Sequence, residues 1–499
     1  MARYGISEQA ARNFLSIILG FVLGGVNNLI VPPWAFEGNL EDWGLIRVAA
    51  AWAALIGPIM AFGAPSAMNR FSGRFGRSEE LPELYGSLLH PTIATFTLLV
   101  ALPALCFPET LADLLDLEGT NRRAVGPIAI LTIIQSLQLY TAGFLSTRLK
   151  TALATFIRET VFKTGYLLLA LSLGMGWMAP SQFLPAFVSL YGVILVLLLA
   201  QALANGFRIR LRGLADTMAR KEILVYGGTL IFGNSAWLIL NQIDIIMVGQ
   251  LVSLAIVPVF TIALFIATIV QVPQRSFQRL LTPLIAKALD RKDMDEVWRL
   301  AGLSHRAMLL GGGWILASIW VTTPEINAML PEEFKGLEWV ILAIGIHKVL
   351  QSSAVGTQVL IAQSDQYKKL IGLNWTMVFI AVPLNLLFIP EHGLNLGLLG
   401  AALATFAAIM ISVLLRQWVV WHVWKRWIPE GRSILILLIL ISPCLLIRDW
   451  NPDIPPLLAL TTKGAILTLW VGTTAFFLRL LPEAVKPLAK RWPELERWS

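Results

Sequence analysis

Lys348 is the residue whose surroundings most clearly suggest chemistry. It lies in the apolar run LEWVILAIGIHKVLQSSAVGTQVLIA, directly after His347 and three and four residues before Gln351 and Ser352. Gln351 and Ser352 share a helix face with Lys348, so the three form a polar stripe. An ammonium beside an imidazole can attract a phosphate, and we predict that this stripe lines a cavity. The alternative is that Lys348 pairs with Asp244 or packs within a helix bundle.

Other ionisable groups lie in or beside apolar runs, where charge is costly and marks candidate sites. Arg47 begins the second run, and it either lines a cavity or reaches outward to lipid headgroups. Asp244 lies in ILNQIDIIMVG beside Asn241. We favour a structural pairing for Asp244 over substrate contact. Lys163 follows Glu159 by four residues, which favours a helical ion pair near the cytoplasmic interface.

Four amide side chains complete the set of candidate cavity residues. Asn27 and Asn28 precede VPPW, at the end of the first apolar run. Gln135 and Gln138 lie near the middle of the fourth run. Each glutamine could bond a sugar hydroxyl or a neighbouring helix, and we favour the helix.

Motifs of enzymatic chemistry do not appear in the sequence. The five His residues are scattered, without a metal-binding pair at helical spacing, and no phosphate-binding loop or dinucleotide fingerprint occurs. The loops between apolar runs are short, which leaves no room for a soluble catalytic domain. We therefore predict that the protein is not an enzyme, has no metal and has no cofactor, with a coupling ion, H⁺ or Na⁺, left open.

Apolar runs of membrane-spanning length must position all these groups. Of the 499 residues, 56% are hydrophobic and 14% are charged, whereas soluble domains average about 25% charged residues. Runs of roughly 20 apolar residues, each able to cross a ~30 Å hydrocarbon core, follow one another along the chain. We predict about fourteen spans, near 13–32, 44–67, 85–107, 124–147, 156–178, 182–204, 223–249, 255–275, 302–322, 337–362, 369–390, 395–420, 433–448 and 457–481.

The basic residues predict the orientation of the spans. Assigning alternate loops to opposite sides places 32 of the 39 Lys and Arg residues on the side of the N-terminus. Cytoplasmic loops carry such an excess, so both termini are predicted to be cytoplasmic. This distribution also removes nucleic acid as the simplest explanation of the net charge of +8.

Two long loops, 68–84 and 276–300, look alike, since each begins basic and continues into a short acidic run. They are either two amphipathic linkers at the lipid surface or the mark of an internal repeat of six spans, and transporters are often built from such repeats. From the repeat we predict an N-terminal lobe at 1–204, a cytoplasmic linker at 205–222, a C-terminal lobe at 223–426, and two extra helices with a basic tail at 427–499.

Three stretches carry a family resemblance: EDWGLIRVAAAWAALIGPIMAFGAPSAMNRF, the segment from NQIDIIMVGQ to LDRKDMDEV, and IPEHGLNLGLLGAALAT. They are similar to oligosaccharide flippases of the Wzx type, in the multidrug/oligosaccharidyl-lipid/polysaccharide exporter superfamily. The three stretches cover about a fifth of the chain. One departure is Ile245, which follows Asp244 where many relatives carry a basic residue, and it weakens the expectation of a local ion pair.

The resemblance implies an all-α polytopic membrane protein, with two six-helix lobes in a V around a central cavity and two C-terminal helices. It implies alternating-access export of a polyprenyl-pyrophosphate-linked oligosaccharide, such as an O-antigen, exopolysaccharide or capsule unit, to the outer leaflet of a bacterial inner membrane. Its partners would be that lipid-linked glycan, membrane lipids and other polysaccharide-assembly proteins. A multidrug or cation antiporter would need more carboxylates in its cavity, and a membrane glycosyltransferase or polymerase would need a large external loop with catalytic acids.

Overall fold

The computed structural model describes residues 23–75, 81–107, 109–110, 124–210, 214, 216–429, 431–450, 454–478 and 480. The described part is built of helices and turns. Its α-helices are α1 (Val31–Ala35), α2 (Leu40–Met60), α3 (Ala64–Phe75), α4 (Leu81–Phe96), α5 (Leu102–Cys106), α6 (Val125–Thr147), α7 (Thr151–Thr155), α8 (Phe162–Gly174), α9 (Pro180–Ala204), α10 (Thr217–Leu251), α11 (Val257–Thr268), α12 (Val272–Asp290), α13 (Met294–Val321), α14 (Thr323–Met329), α15 (Glu338–Ser353), α16 (Val355–Gln363), α17 (Tyr367–Phe388), α18 (Gly397–Trp424), α19 (Arg432–Ile447) and α20 (Pro456–Phe477). Within these described ranges, π-helical segments occur at Val26–Ile30, Thr97–Ala101 and Phe156–Val161.

The described helices confirm a polytopic, all-helical membrane protein. Nine are long and apolar enough to cross a membrane, and the number reaches 11 when each of two bent helix pairs counts as one span. The predicted thirteenth span corresponds to α19, a shorter apolar helix. The predicted fifth span begins with the π-helical segment Phe156–Val161 and continues as α8. The first predicted span begins outside the described residues, so the total of fourteen remains a prediction.

The chain divides into two compact units, Met1–Thr261 (unit 1) and Ile262–Ser499 (unit 2), with the division inside α11. The predicted six-helix lobes with a linker at 205–222 remain a prediction, because a division by compactness does not assign helices to lobes. In unit 1, α2 packs against α6 and α10, and α6 packs against α9. Close approach of α2 and α6 depends on Gly57, since a methyl group there would lie 2.8 Å from the Gln135 Cγ atom.

Two helix pairs of unit 2 are bent. The axes of α13 and α14 differ by 54°, and those of α15 and α16 by 43°. The sequence HGLNLGLLG leads into α18, and two of its three glycines serve close packing, because a methyl group would lie 2.1 Å from the Leu387 oxygen at Gly393 and 2.6 Å from the Phe388 oxygen at Gly400. Gly397 differs, since its φ of +50° is a backbone conformation that glycine tolerates best.

Candidate functional site

A cavity of about 160 Å³, lined by polar, aromatic and aliphatic residues, lies within unit 1. We call it the Arg47 cavity. It is bounded by the π-helical segment Val26–Ile30 and by helices α2, α8 and α9. Its lining residues are Gly24, Asn27, Asn28, Ile46, Arg47, Ala50, Phe162, Lys163, Tyr166, Phe187 and Tyr191.

Arg47 is half-buried at this cavity and is held from two sides. Its Nη2 atom donates to Asn28 Oδ1 at 2.7 Å, and its guanidinium carbon lies 5.3 Å from the centre of the Trp43 ring. The Asn28 amide in turn donates to the Gly24 carbonyl at 2.5 Å. The buried Nε–H of Arg47 has no hydrogen-bond partner among the described residues. The guanidinium is therefore oriented by the protein and keeps a donor for a ligand.

Asn27, in the π-helical segment Val26–Ile30, forms a hydrogen bond with the predicted fifth span. Its side chain is 4% exposed, and its amide donates to the Lys163 carbonyl oxygen at 2.7 Å. The Asn27 Oδ1 atom is buried without a hydrogen-bond partner in the described part of the chain. Buried polar atoms are nearly always paired, so an orphan at a cavity wall suits a ligand hydroxyl or a water.

The predicted ion pair between Lys163 and Glu159 is confirmed, with Nζ 2.8 Å from Oε2. Its predicted position near the cytoplasmic interface remains a prediction. The helical stretch that carries the pair runs from Thr151 to Gly174, and Lys163 lies close to the midpoint of that stretch.

Four aromatic side chains form one wall of the Arg47 cavity, and sequence reasoning missed them. The ring centres of Phe162 and Tyr191 are 4.7 Å apart, those of Phe187 and Tyr191 are 5.1 Å apart, and those of Tyr166 and Phe187 are 5.8 Å apart. A signal was present in the spacing, since 162 and 166, like 187 and 191, are one helical turn apart. Such a wall offers both apolar faces and phenol hydroxyls to a sugar.

The two glutamines of α6 differ in their environment. Gln138 is 4% exposed and donates to the Tyr191 carbonyl oxygen at 2.8 Å, which confirms the predicted bond to a neighbouring helix. Gln135 is half-buried and packs against Gly57. Neither side chain lines the Arg47 cavity.

Asp244 and Asn241 lie on α10 in different environments. Asp244 is 7% exposed. Asn241 is exposed, and its amide donates to the Trp237 carbonyl of its own helix at 2.6 Å. Burial agrees with the structural role predicted for Asp244, which remains a prediction.

The polar stripe of α15 lies in unit 2, and two of its side chains form hydrogen bonds with neighbouring helical segments. Gln271 Nε2 donates to Gln351 Oε1 at 2.7 Å, and Ser352 Oγ donates to Gln274 Oε1 at 2.8 Å. His347 is 2% exposed, and its Nδ1 atom has no hydrogen-bond partner among the described residues. Lys348 is half-buried. Cavity lining by Lys348 and His347 stays a prediction.

Unit 2 also contains an apolar cavity of about 340 Å³. We call it the apolar cavity. Helices α13, α15 and α19 form it, and its wall is made of aliphatic side chains together with Trp320 and Cys444. Its volume and composition suit a hydrocarbon chain, because apolar lining stays dry and binds apolar ligands.

A buried ion pair in unit 2 was not predicted. Lys463 Nζ lies 2.6 Å from Glu325 Oε1, with the two side chains 1% and 6% exposed. Lys463 also donates to the Arg448 carbonyl oxygen at 3.0 Å. The sequence signal was a lysine inside the apolar run LLALTTKGAILTLW. These contacts connect α20 to α14 and to the end of α19.

The whole fold is similar to solved structures of transporters, including members of the MOP superfamily. The lipid II flippase MurJ in an inward closed conformation superimposes with a TM-score of 0.73 at 13% identity, covering 94% of this chain and 98% of that one. An inward-facing multidrug resistance MATE transporter gives 0.62 at 14% identity, covering 83% and 96%. A Pyrococcus furiosus MOP transporter, described as having a binding pocket of reversed polarity that suggests a different function, gives 0.56 at 15% identity, covering 82% and 93%.

These structural neighbours are transporters, not enzymes. No protein-family model matches the chain, and no curated protein matches it in sequence. The chain is thus a multi-pass membrane protein with the MOP fold, and identities of this size carry the fold alone.

Proposed function

We propose that this protein flips a polyprenyl-pyrophosphate-linked oligosaccharide from the cytoplasmic to the outer leaflet of a bacterial inner membrane by alternating access. The observation that carries the proposal is the Arg47 cavity. It combines an oriented guanidinium, a lysine, two asparagines and an aromatic wall, and two of the helices that bound it, α2 and α9, belong to stretches long and apolar enough to cross a membrane. A guanidinium matches the shape and charge of a phosphate, while amides and aromatic rings suit sugar hydroxyls and ring faces.

The apolar cavity of unit 2 supports a lipid-linked substrate. A long isoprenoid chain needs an apolar surface while its charged headgroup crosses the membrane, and this cavity offers about 340 Å³ of such space. The fold comparison adds support, because one of the similar structures is a lipid II flippase. The identity of the glycan and of its lipid carrier is part of this proposal, because similarity of fold does not identify a substrate.

A multidrug or cation antiporter is the second candidate, favoured by the similarity to MATE transporters. Such a transporter would bind a cationic drug and exchange it for a proton or sodium ion, which calls for carboxylates in its cavity. The charged residues lining the Arg47 cavity are Arg47 and Lys163, both basic. Cations would repel a cationic drug, so the charge favours an anionic substrate. A membrane glycosyltransferase or polymerase has less support, since the similar folds are transporters.

The direct test is flipping by the purified protein in proteoliposomes. A fluorescent polyprenyl-pyrophosphate oligosaccharide is placed in the inner leaflet, and its arrival outside is measured by cleavage with a membrane-impermeant glycosidase. We expect protein-dependent cleavage, reduced about tenfold by Arg47→Gln, since a hydrogen bond to a charged group is lost. Arg74→Gln is the matched control, because Arg74 is exposed and pairs with Glu222 outside the cavity.

Cleavage no faster than in protein-free liposomes would contradict the proposal. Accumulation of ethidium against a proton or sodium gradient in the same vesicles would instead support the antiporter.

A further inference from the structure

Unit 1 contains a second small cavity, which shares no lining residue with the Arg47 cavity. It has a volume of about 160 Å³ and is lined by Ala142, Thr151, Ala154, Thr155, Arg158 and Glu159. We call it the Arg158 cavity. It lies at the beginning of the helical stretch Thr151–Gly174, which is the end predicted to face the cytoplasm. The Arg47 cavity lies further along the same stretch, at Phe162, Lys163 and Tyr166.

Three hydrogen-bond donors at the Arg158 cavity are unused. No hydrogen bond or salt bridge among the described residues involves the guanidinium of Arg158 or the hydroxyl of Thr151 or Thr155. The three residues follow one another at intervals of four and three, so they share one helix face. The Glu159 carboxylate forms its salt bridge with Lys163 at 2.8 Å and acts on the Arg158 guanidinium only as a nearby charge. The half-buried Arg158 guanidinium and the two hydroxyls therefore line one cavity as donors that form no hydrogen bond among the described residues.

The local backbone is also unusual. Arg158 and Glu159 belong to the π-helical segment Phe156–Val161. Short π-helical insertions in α-helices are rare and occur frequently at functional sites, because they rotate the following side chains and free backbone groups. The other π-helical segment that borders a cavity of unit 1, Val26–Ile30, carries Asn27 and Asn28. Both segments therefore place polar side chains at cavity walls.

The two cavities of unit 1 are electrostatically connected. Glu159 lines the Arg158 cavity, and its partner Lys163 lines the Arg47 cavity. The Tyr191 phenol interacts electrostatically with both Arg158 and Arg47, so it is near both guanidinium groups. Three cations thus follow one another through unit 1 with one carboxylate among them. This excess of positive charge suits a ligand that carries more than one negative charge.

We propose that the Arg158 cavity is a second anion-binding subsite, which receives a pyrophosphate group before it reaches Lys163 and Arg47. The identity of its physiological ligand, the headgroup of the lipid-linked glycan, rests on the proposed function. Arg158 binds two phosphate oxygens through its planar fork, and the Thr151 and Thr155 hydroxyls donate to a third. The Glu159 carboxylate repels the anion and favours its onward movement, because Lys163 can exchange this carboxylate for the phosphate.

Cysteine protection tests the subsite locally. The two native cysteines, both free, are replaced by serine, and Thr155→Cys is introduced in that background. The rate of modification by a water-soluble, anionic methanethiosulfonate reagent is measured on the purified protein in nanodiscs. Inorganic pyrophosphate is expected to slow modification. The protection should disappear with Arg158→Gln, persist in part with Arg158→Lys, which keeps a point charge, and remain complete with Lys150→Gln, an exposed neighbour.

Absence of protection at saturating pyrophosphate, or equal protection in Arg158→Gln, overturns the subsite. A second measurement is the initial flipping rate against substrate concentration. Arg158→Gln should raise KM about tenfold through the lost charged hydrogen bonds, with a smaller change in kcat. An unchanged KM in a folded Arg158→Gln protein that still flips overturns the subsite while the proposed function stands. Protection in a protein that flips no glycan supports the anion subsite and refutes the proposed function.

Discussion

At the scale of single residues, the polar groups of unit 1 depend on one another for position. Arg47 is oriented by Asn28, and Asn27 is fixed by the Lys163 backbone. A charged group inside a membrane needs such partners, because unpaired burial costs several kcal/mol. Hydrogen bonds thus fix the orientation of the side chains at the Arg47 cavity. The Arg47 Nε–H and the Asn27 Oδ1 atom remain without a hydrogen-bond partner among the described residues.

Lys348 gives a prediction at this scale for unit 2. If its ammonium attracts the pyrophosphate as a point charge, Lys348→Arg should retain partial export, Lys348→Gln should fail, and Lys348→Glu should be worst because it repels the phosphates. Glycan export is measured in cells depleted of the native protein, with membrane abundance followed in parallel. Normal export by Lys348→Glu at normal abundance would move the cation role to Arg47 or His347.

Asp244 gives a second residue-scale prediction. Its side chain is 7% exposed, which suits a structural role. Asp244→Asn should therefore reduce the amount of folded protein more than the transport rate per molecule, because a buried charge loses its electrostatic interactions. Quantitative blotting of membranes, combined with export per unit of protein, separates the two effects. Full abundance together with lost transport would assign Asp244 to the substrate path instead.

At the scale of elements, the breaks in the helices matter more than their lengths. The π-helical segment Val26–Ile30 carries Asn27 and Asn28 of the Arg47 cavity, and the segment Phe156–Val161 carries Arg158 and Glu159 of the Arg158 cavity. In unit 2 the bend between α13 and α14 places Glu325 where Lys463 of α20 can reach it. Regular helices satisfy their own backbone in lipid, so irregular turns are tolerated only where neighbouring groups compensate.

The ion pair between Lys463 and Glu325 gives the element-scale prediction. Lys463→Met alone should destabilise the protein by about 3–5 kcal/mol, because it leaves Glu325 buried without its partner. The double variant Lys463→Met with Glu325→Leu should recover most of the loss, since neither charge remains buried. Thermal unfolding in detergent measures both. A single variant as stable as the native protein would show that the pair does not fasten α20 to α14.

At the scale of the whole molecule, the fold matches MOP-superfamily transporters over most of the chain, while the topology rests on the basic residues. The excess of Lys and Arg on alternate loops predicts which loops face the cytoplasm. The loops that carry few basic residues should face outward.

Reporter fusions test this topology. Fusions at 205–222 and 278–298 should report the cytoplasm, and fusions at 110–122 and 325–335 should report the external side. The readout is a pair of reporters active on opposite sides of the membrane, such as alkaline phosphatase and green fluorescent protein. One reversed loop among these four would break the model of fourteen spans with both termini in the cytoplasm.

The sequence by itself determined that this is a polytopic helical membrane protein, and it predicted most of the spans that the structure describes. Hydropathy is a local property, and each spanning helix forms its backbone hydrogen bonds within its own segment. The amino-acid sequence of a segment is therefore enough to predict that it spans the membrane. The sequence also identified Arg47, Asn27, Asn28 and the pairing of Lys163 with Glu159, since these polar groups stand out in apolar runs.

Only the tertiary structure decided which of these groups meet. Asn27 and the Lys163 carbonyl are 136 residues apart in sequence, and Lys463 reaches Glu325 from a different helix. The aromatic wall and the Arg158 cavity likewise depend on how neighbouring helices are rotated. That rotation is set by all the side chains packed between helices and by irregular turns such as Phe156–Val161, and neither can be derived from the periodicity of a single segment.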